Sequence, residues 1–419
     1  MDVEEVREPS EMNIQTSNGN IYSYLCRTNE IVSGDMVEHV EWNFFPIHTF
    51  SAMKELNMFI IGITEQCNLR CSYCCYSGLY KSNRTHSTIA MSNADIDEIY
   101  DFIFNITDTR PLHIAFYGGE PLLKYPLIQY AIEKGISVFG NDTNFSITTN
   151  ATLLSSEKID WLVEHNVRMD ISIDGPKAFH DQNRIDNTGK GSYDKIYEAL
   201  TYIKNNYPLY RHLIGLQLTL TTYQYLDKIA EEWNEDPILK EFEPANIHGL
   251  APNFSQKVSR VDYVEVRNLY LRLLDKYEKH PEWVVLKVLF EEHASYWKNR
   301  PIVDTNFNIP ISTCMPLNTK LYIDAHKEIG ICEKVADKYR IGNISEGLDW
   351  EKANIIVNDY YKKRIARCKR CPAIHMCNLC LTTIEYTDEE WDILCHNEQV
   401  YTKVFFWLFC EMAERGLIL

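Results

Sequence analysis

The strongest constraint on the fold is a regular alternation of apolar and amphipathic segments between residues 58 and 250. Segments with helical spacing separate short apolar runs that have the length of buried strands. The six predicted strands cover residues 58–63, 112–117, 144–149, 169–173, 213–221 and 245–250. Strands that are apolar on both faces and alternate with helices are typical of a parallel sheet covered by helices. The pattern therefore predicts an α/β fold, a complete or partial barrel with its functional groups at the carboxyl ends of the strands.

The flanking sequence divides the rest of the chain. Two short strand-like segments around Thr28 and Asn29 predict a hairpin-like element within residues 1–57. Helical spacing from residue 261 to 299 predicts a helical bridge over 251–309, and residues 310–419 form a cysteine-rich part that ends in a helix at about 396–415.

Composition narrows the class of partner and the compartment. Lys and Arg number 42 against 59 Asp and Glu, which gives a formal charge of −17 and argues against nucleic acid as a partner. The acidic N-terminus has neither the basic nor the apolar region of a secretory signal, and no apolar run approaches the roughly 20 residues of a membrane span. We therefore expect a cytoplasmic protein that acts away from membranes. In that compartment, clustered cysteines are more often metal ligands than disulfides.

Three of the thirteen cysteines directly follow the first predicted strand. Cys67, Cys71 and Cys74, the barrel cysteine set, have the spacing C-x3-C-x2-C. Three thiolates can hold three irons of a 4Fe-4S cluster and leave the fourth iron open to another ligand. A zinc or disulfide loop is the alternative, although a structural zinc site needs four ligands. Cys75 follows Cys74 directly and is poorly placed to be that fourth ligand.

Together with motifs at the later strand ends, this loop resembles the radical SAM superfamily. The second strand is followed by Gly118-Gly119-Glu120-Pro121, the third by Thr149-Asn150, and the fourth carries Ser172-Ile-Asp174-Gly175-Pro176 before His180-Asp181-x-x-Arg184. The resemblance covers about residues 58–250. It implies a partial (β/α)6 TIM-type barrel that binds a 4Fe-4S cluster and S-adenosylmethionine (SAM), and an enzyme that cleaves SAM to a 5′-deoxyadenosyl radical.

The resemblance also implies which residues contact SAM. Tyr73 and Leu220 would pack on the adenine, Ser172 would bind the ribose, and Arg184 would bind the carboxylate. The backbone of the GGEP motif would meet the amino group. The full set of expected SAM contacts is Tyr73, Tyr117, Gly118, Gly119, Glu120, Asn150, Ser172, Asp174, Arg184 and Leu220. Ala151 replaces a glycine that is customary in the family after the Thr-Asn pair.

A second group of cysteines lies near the C-terminus. Taken alone, its C-x2-C pairs are typical of zinc sites. With the barrel motif, the pattern resembles the SPASM extension, which holds two auxiliary 4Fe-4S clusters. By that resemblance the outer cysteine set is Cys368, Cys371, Cys377 and Cys395, and the inner cysteine set is Cys314, Cys332 and Cys380.

The second group departs from the SPASM pattern at three points. The cysteine often found before Cys314 is absent, which leaves an open iron or a ligand such as Asp304 for the inner cluster. Lys327 replaces the usual glycine, and the spacing between Cys377 and Cys380 is one residue shorter than is common. The basic run at residues 362–370 lies around Cys368, and a solvated face or charge compensation for the thiolates is favoured over a partner-binding patch.

These features favour a radical SAM/SPASM maturase that modifies a ribosomally made precursor peptide, through a thioether or carbon–carbon crosslink. We expect an external electron donor such as flavodoxin or ferredoxin, and residues 1–57 as a docking element for the leader peptide. Sulfatase maturation to formylglycine is an alternative, with Glu333 as the catalytic base after Cys332. Peptide epimerisation would require a thiol hydrogen donor such as Cys75, and a zinc scaffold without catalysis is the alternative from another class.

Overall fold

The computed structural model describes residues 12–44, 55–78, 84–249, 258–302, 307–308, 317–335 and 337–418. Near the N-terminus, three antiparallel strands form a small sheet: β1 (Asn13–Gln15), β2 (Ile21–Leu25) and β3 (Glu30–Ser33). The two-residue strand β4 (Asn43–Phe44) follows them. The small sheet is attached to the end of the chain, because Thr16 Oγ1 and Asn20 Nδ2 donate hydrogen bonds to the carboxylate of Glu414, at 3.0 and 2.9 Å.

Six parallel strands form the centre of the protein. They are β5 (Met58–Thr64), β6 (His113–Gly118), β7 (Asn144–Thr149), β8 (Arg168–Ile173), β9 (Ile214–Leu220) and β10 (Pro244–Gly249). The helices between them are α1 (Asn93–Ile106), α2 (Tyr125–Phe139), α3 (Ser156–Glu164), α4 (Lys177–His180), α5 (Tyr193–Asn206) and α6 (Leu226–Glu235). Each strand pairs with its neighbour in chain order, so the carboxyl ends of all six lie on one side. The predicted parallel α/β sheet is confirmed.

Local sequence explains how the helices begin and which face they bury. Ser92 caps α1 in a capping box with Asp95, and Ser155 caps α3 through the amide of Lys158. On α1, Ile96, Ile99 and Ile103 are fully buried at helical spacing. The periodicity that predicts these helices is therefore the same periodicity that covers the sheet.

The C-terminal part continues the central sheet. Helices α7 (Tyr263–Lys279) and α8 (Val284–Lys298) precede a series of short strands. These are β11 (Phe307–Asn308), β12 (Lys320–Ile323), β13 (Glu328–Gly330), β14 (Arg340–Asn343) and β15 (Gly347–Leu348), followed by helices α9 (Trp350–Cys368) and α10 (Asp388–Glu414). Strand β12 pairs in parallel with β5, which extends the sheet to ten strands in the order β10 to β5 and then β12 to β15. The cysteine-rich part is thereby brought to the edge of the barrel.

Two helical predictions need correction. The final helix begins at Asp388 rather than at about residue 396, because Thr387 and Glu390 form a capping box. The segment with helical spacing between the second and third predicted strands is not one α-helix, because a 3₁₀ turn over Pro121–Lys124 precedes α2. None of the helices in the described part of the chain has the length and apolar content to cross a bilayer.

The two positions where this chain lacks a glycine of the family pattern share one backbone feature. Ala151 has φ +57° and Lys327 has φ +65°, the left-handed region that favours glycine. Lys327 also forms ion pairs with Asp95 and Glu98, at 2.9 and 2.8 Å. The fold thus keeps the turn that glycine would allow, although other residues occupy both positions.

Candidate active site and cysteine sets

The barrel cysteine set lies in the loop directly after β5. The sulfur of Cys67 accepts hydrogen bonds from the Leu69 amide at 3.4 Å and from Asn150 Nδ2 at 3.8 Å, and the sulfur of Cys74 accepts one from the Tyr76 amide at 3.4 Å. Burial raises the pKa of the Cys67 thiol to about 12 and that of Cys71 to about 11. Ligation must therefore displace protons from these thiols, as soft metals do.

The donors in this loop fit an iron–sulfur cluster better than a single metal ion or a disulfide. All twelve cysteines in the described part of the chain are free thiols. Among the described residues, no group of three or more His, Cys, Asp or Glu side chains converges to hold one metal ion. A zinc ion needs such convergence, whereas the thiolates of a 4Fe-4S cluster each bind a different iron. The barrel cysteine set would hold that cluster.

The glycine pair after β6 lies against the cysteine loop. The Gly119 amide donates to the Thr64 carbonyl and the Glu120 amide to the Gln66 carbonyl, both at 2.7 Å. Gly118 has φ +136°, and a Cβ on Gly119 would lie 2.1 Å from the carbonyl oxygen of Gln66. These glycines allow two backbone segments to approach closely, and the approach positions the loop that carries the cysteines.

Replacing Gly119 by Ala is therefore expected to displace the cysteine loop. Overpacking of this kind costs about 1–3 kcal/mol of unfolding free energy, and iron binding by the barrel cysteine set should fall with it. Gly249→Ala is the matched control, because a Cβ there would lie 3.3 Å from the edge of the Tyr223 ring. Urea denaturation and iron analysis of the two variants test this, and equal behaviour of the two would show that the close approach is not needed.

The Glu120 side chain is held by hydrogen bonds within the protein. Its side chain is fully buried, and its carboxylate accepts hydrogen bonds from Thr149 Oγ1 at 2.7 Å, the Asn150 amide at 2.8 Å and the Leu122 amide at 3.0 Å. Burial raises the pKa of this carboxyl group, although the three donors oppose the shift. The side chain thus joins the ends of β6 and β7, and only its backbone remains for a contact with SAM.

Tyr73, Asp174 and Arg184 form one buried polar group. Tyr73 Oη donates to both carboxylate oxygens of Asp174 at 2.6 Å, and Arg184 Nε pairs with Asp174 Oδ1 at 2.7 Å. The guanidinium also lies over the Tyr73 ring, 5.4 Å from its centroid. The structure brings these three predicted SAM contacts together, and Asp174 serves as the counterion of Arg184.

The remaining strand-end residues separate into two faces. On β8 and β9 the side chains alternate, and Ser172, Gln217 and Thr219 lie on the partly exposed face, where Gln217 Nε2 donates to Asp170 Oδ1 at 3.0 Å. Leu220 is on the opposite face of β9, in the apolar core with 3% of its surface exposed. The structure does not bring Leu220 to the interior of the barrel. Tyr117 packs on the interior side, in a small cluster with Tyr322.

Glu333 lies between the barrel and the inner cysteine set. Its carboxylate pairs with Lys320 Nζ at 3.3 Å and accepts a hydrogen bond from the Cys332 thiol at 3.4 Å. Burial raises the pKa of Glu333, but the ammonium of Lys320 and several smaller contributions together hold it below its usual range. Arg84 Nη1 donates to the Glu333 backbone carbonyl at 2.6 Å and so fixes the segment. The arrangement can hold an ionised base at this position.

The inner cysteine set is described only in part. Cys314 lies outside the described residues. Burial raises the pKa of the Cys332 thiol, and a smaller contribution of the same sign comes from Cys380, which lies nearby. Cys380 itself is hydrogen-bonded to Thr382 Oγ1 at 3.0 Å. That these residues hold an inner cluster stays a prediction.

The outer cysteine set lines one cavity. The cavity is lined by Cys368, Cys371, Cys377 and Cys395, together with Arg364, Arg367, Trp391, Glu398 and Gln399. Gln399 Nε2 donates to the sulfur of Cys371 at 3.7 Å. The N-terminal segment contacts this set, because the Trp42 indole donates to the Cys371 carbonyl at 2.9 Å. Four thiols around one cavity are the donor set of a 4Fe-4S cluster.

We expect reconstituted protein to lose about four irons per chain when a residue of the outer cysteine set is replaced by alanine. Cys371→Ala is the variant of choice, and Cys410→Ala is the control, because that buried thiol belongs to none of the three sets. Iron and sulfide analysis gives the result. Iron content equal to that of the control would exclude an outer cluster.

Several polar residues of the site could not be found from motifs. Arg84, Lys320 and His248 reach it from separate segments; His248 lies beside Thr219 Oγ1 at 3.4 Å at the end of β10. His86 Nε2 lies 3.9 Å from the sulfur of Cys74 and stacks on Tyr76. None of these residues has a diagnostic spacing to the cysteines in the sequence, so only the folded structure shows that they belong to the site.

Comparison with known proteins finds similarity to radical SAM enzymes. The model of the radical SAM superfamily matches residues 61–228. A cysteine-type anaerobic sulfatase-maturating enzyme from Clostridium novyi is 27% identical over 343 residues, 78% of this chain and 87% of that protein. The radical SAM cyclopropyl synthase TigE from Paramaledivibacter caminithermalis is 23% identical over 368 residues, 83% of this chain and 72% of that protein.

Solved structures agree on the fold. The structure of native anSMEcpe with bound AdoMet matches 87% of this chain and 100% of that chain, with a TM-score of 0.63 and 19% identity. A second structure of anSMEcpe holds AdoMet together with a Cp18Cys peptide, and matches with a TM-score of 0.61 and 20% identity. The superfamily implies a 4Fe-4S cluster and SAM as cofactors. The chain therefore carries a radical SAM domain and is an enzyme homologous to the anaerobic sulfatase-maturating enzymes.

Proposed function

We propose that this enzyme oxidises a residue of a ribosomally made precursor peptide and forms a thioether or carbon–carbon crosslink. The observation that carries the proposal is the carboxylate of Glu333, paired with Lys320 at 3.3 Å and hydrogen-bonded to Cys332 at the junction of the barrel and the cysteine-rich part. A crosslink requires the net loss of two hydrogens from the peptide. A base at this position can take the proton that leaves as the new bond forms.

The residues that would hold the cofactors follow from their placement. Asn150 would bind SAM beside the barrel cysteine set. Ser172 would bind it from β8, and Arg184, which pairs with Asp174, would bind its carboxylate. When bound, the barrel cluster would supply the electron that cleaves SAM to the 5′-deoxyadenosyl radical. The auxiliary clusters would accept the electron that the peptide radical loses as the new bond forms. An external donor such as flavodoxin or ferredoxin would return the electron that the barrel cluster gives to SAM.

Sulfatase maturation is the second candidate, and two observations favour it. The relative from Clostridium novyi is named as a sulfatase-maturating enzyme, and 87% of its length matches this chain. Glu333 also follows Cys332, where an acidic base is expected in such enzymes. The first half of the reaction would be the same. The two candidates differ in the fate of the oxidised residue, which becomes an aldehyde in one case and a crosslink in the other.

Product mass separates the candidates. The reconstituted enzyme is incubated with SAM, a strong reductant, and either a short peptide encoded next to its gene or a sulfatase-motif peptide. Loss of two hydrogens from the precursor, with a ring that resists proteolysis, supports crosslinking. Conversion of a thiol or hydroxyl to an aldehyde in the sulfatase peptide supports maturation and would overturn the crosslinking proposal. An unchanged mass with inverted configuration would indicate epimerisation.

A further inference from the structure

The basic run at residues 362–370 divides according to what each cation contacts. Lys362 pairs with Asp359 and Lys369 with Glu41, and both side chains are exposed. Arg364 differs, because only 1% of its surface is exposed and its side chain lines the cavity of the outer cysteine set. The run is thus not one uniform face, and Arg364 is the most deeply buried cation on its inward side.

Arg364 contacts the cysteines directly. It lies four residues before Cys368, one turn earlier on the same face of α9. Arg364 Nη2 donates to the sulfur of Cys377 at 3.5 Å. An arginine guanidinium keeps its proton in proteins, so Arg364 brings a positive charge to this cavity.

The position of the guanidinium is fixed by two further contacts. Arg364 Nη1 donates to Tyr360 Oη at 3.1 Å and also to the Leu379 carbonyl, which accepts a second hydrogen bond from Tyr360 Oη at 3.0 Å. Tyr360 is fully buried. Leu379 lies between Cys377 of the outer set and Cys380 of the inner set, so Arg364 also holds the backbone that joins the two.

A cation so placed changes the energy of an added electron. Reduction of a 4Fe-4S cluster adds one negative charge, and a fixed positive charge stabilises that charge more strongly in a buried site than in water. Hydrogen bonds to the thiolate sulfurs act in the same direction. Arg367 lines the same cavity, but it is closer to solvent and pairs with Asp388 and Asp392 at 2.8 and 3.1 Å. Its field at the cavity is largely cancelled by these carboxylates.

We propose that Arg364 raises the reduction potential of the cluster held by the outer cysteine set and thereby makes that cluster a favourable electron acceptor. The inference rests on the proposed function, which assigns electron acceptance to the auxiliary clusters. Arg364 acts as a positioning residue, because it meets the ligands and not the substrate.

A reductive titration monitored by electron paramagnetic resonance tests the proposal on the reconstituted full chain. The wave of the outer cluster is the one that Cys368→Ala removes. Arg364→Gln is expected to move the midpoint of that wave to a more negative potential, with the iron content unchanged. Arg364→Lys keeps the charge and loses the fork that reaches Cys377, so its shift should have the same sign and be smaller. Arg367→Gln is the matched control and should shift the midpoint least.

The outcomes are distinct. Midpoints in the order wild type, Arg367→Gln, Arg364→Lys, Arg364→Gln, from least to most negative, support the proposal. Equal midpoints in the wild type and both Arg364 variants, or no wave that depends on Cys368, would overturn it. If Arg364→Gln loses the outer cluster, Arg364→Lys decides, since a midpoint equal to that of Arg367→Gln contradicts the proposal. A preparation with the expected shifts and no peptide product would contradict the proposed function and not this inference.

Discussion

Replacing Glu333 by Gln is expected to abolish most peptide modification while SAM cleavage continues. Gln has nearly the same shape but cannot accept the proton that the substrate must lose. Removal of a positioned base typically costs about 10²–10⁴ in rate. The side chain pairs with Lys320 and contacts Cys332 of the inner cysteine set, so release of 5′-deoxyadenosine should persist. The ratio of 5′-deoxyadenosine to modified peptide, measured by chromatography, should therefore rise steeply.

Glu328→Gln is the control for this experiment. Glu328 lies on β13, five residues earlier in the chain, and its loss should leave the ratio unchanged. Lys320→Met gives a second comparison, because it removes the ammonium that favours the ionised carboxylate and should lower product formation without ending it. Wild-type product formation by Glu333→Gln would show that another group takes the proton.

Replacing Asp174 by Ala is expected to destabilise the protein strongly and to weaken SAM binding. Only 4% of Asp174 and 8% of Arg184 is exposed, so the substitution leaves a buried guanidinium without its counterion. Breaking a buried pair in this way costs about 3–5 kcal/mol. Tyr73 loses the acceptor of its hydroxyl in the same step. Urea denaturation measures the first effect and equilibrium binding of SAM the second.

Asp359→Ala is the matched surface control. Asp359 pairs with Lys362 at 3.4 Å, and both side chains are more than half exposed. Exposed pairs contribute about 0–1 kcal/mol, so this variant should unfold close to the wild type. If Asp174→Ala is no less stable than this control, the buried pair does not hold the strand end together.

The central strands were predictable because buried apolar residues form a nearly continuous run in β5 and alternate with partly exposed residues in β8. The third strand, Asn144–Thr149, agrees with the predicted bounds, and the others differ by one or two residues. The pairing of β12 with β5 had no local signature, since it joins segments about 260 residues apart. The start of the final helix was misjudged because its first turn is acidic rather than apolar, and the capping residues alone mark it.

The candidate site was predictable where a motif follows a strand. The order of cysteines, glycines, Asn150 and Asp174 at successive strand ends reflects the parallel sheet that gathers them. Leu220, expected to pack on the adenine, lies in the apolar core, and the polar Gln217 and Thr219 alternate with it on the partly exposed face of β9. Arg84 could not be found, because its contact with Glu333 spans 249 residues and leaves no spacing to detect.

Release of 5′-deoxyadenosine is the direct measure of SAM cleavage by a cluster bound to the barrel cysteine set. Protein reconstituted anaerobically with iron and sulfide is given SAM and dithionite, and the nucleoside is measured by chromatography. We predict release by the wild type and by Cys26→Ala, a buried thiol outside the three sets, and none by Cys67→Ala, Cys71→Ala or Cys74→Ala. No release from the wild type, or undiminished release from any of the last three variants, would show that the barrel cysteine set does not hold a cluster that cleaves SAM.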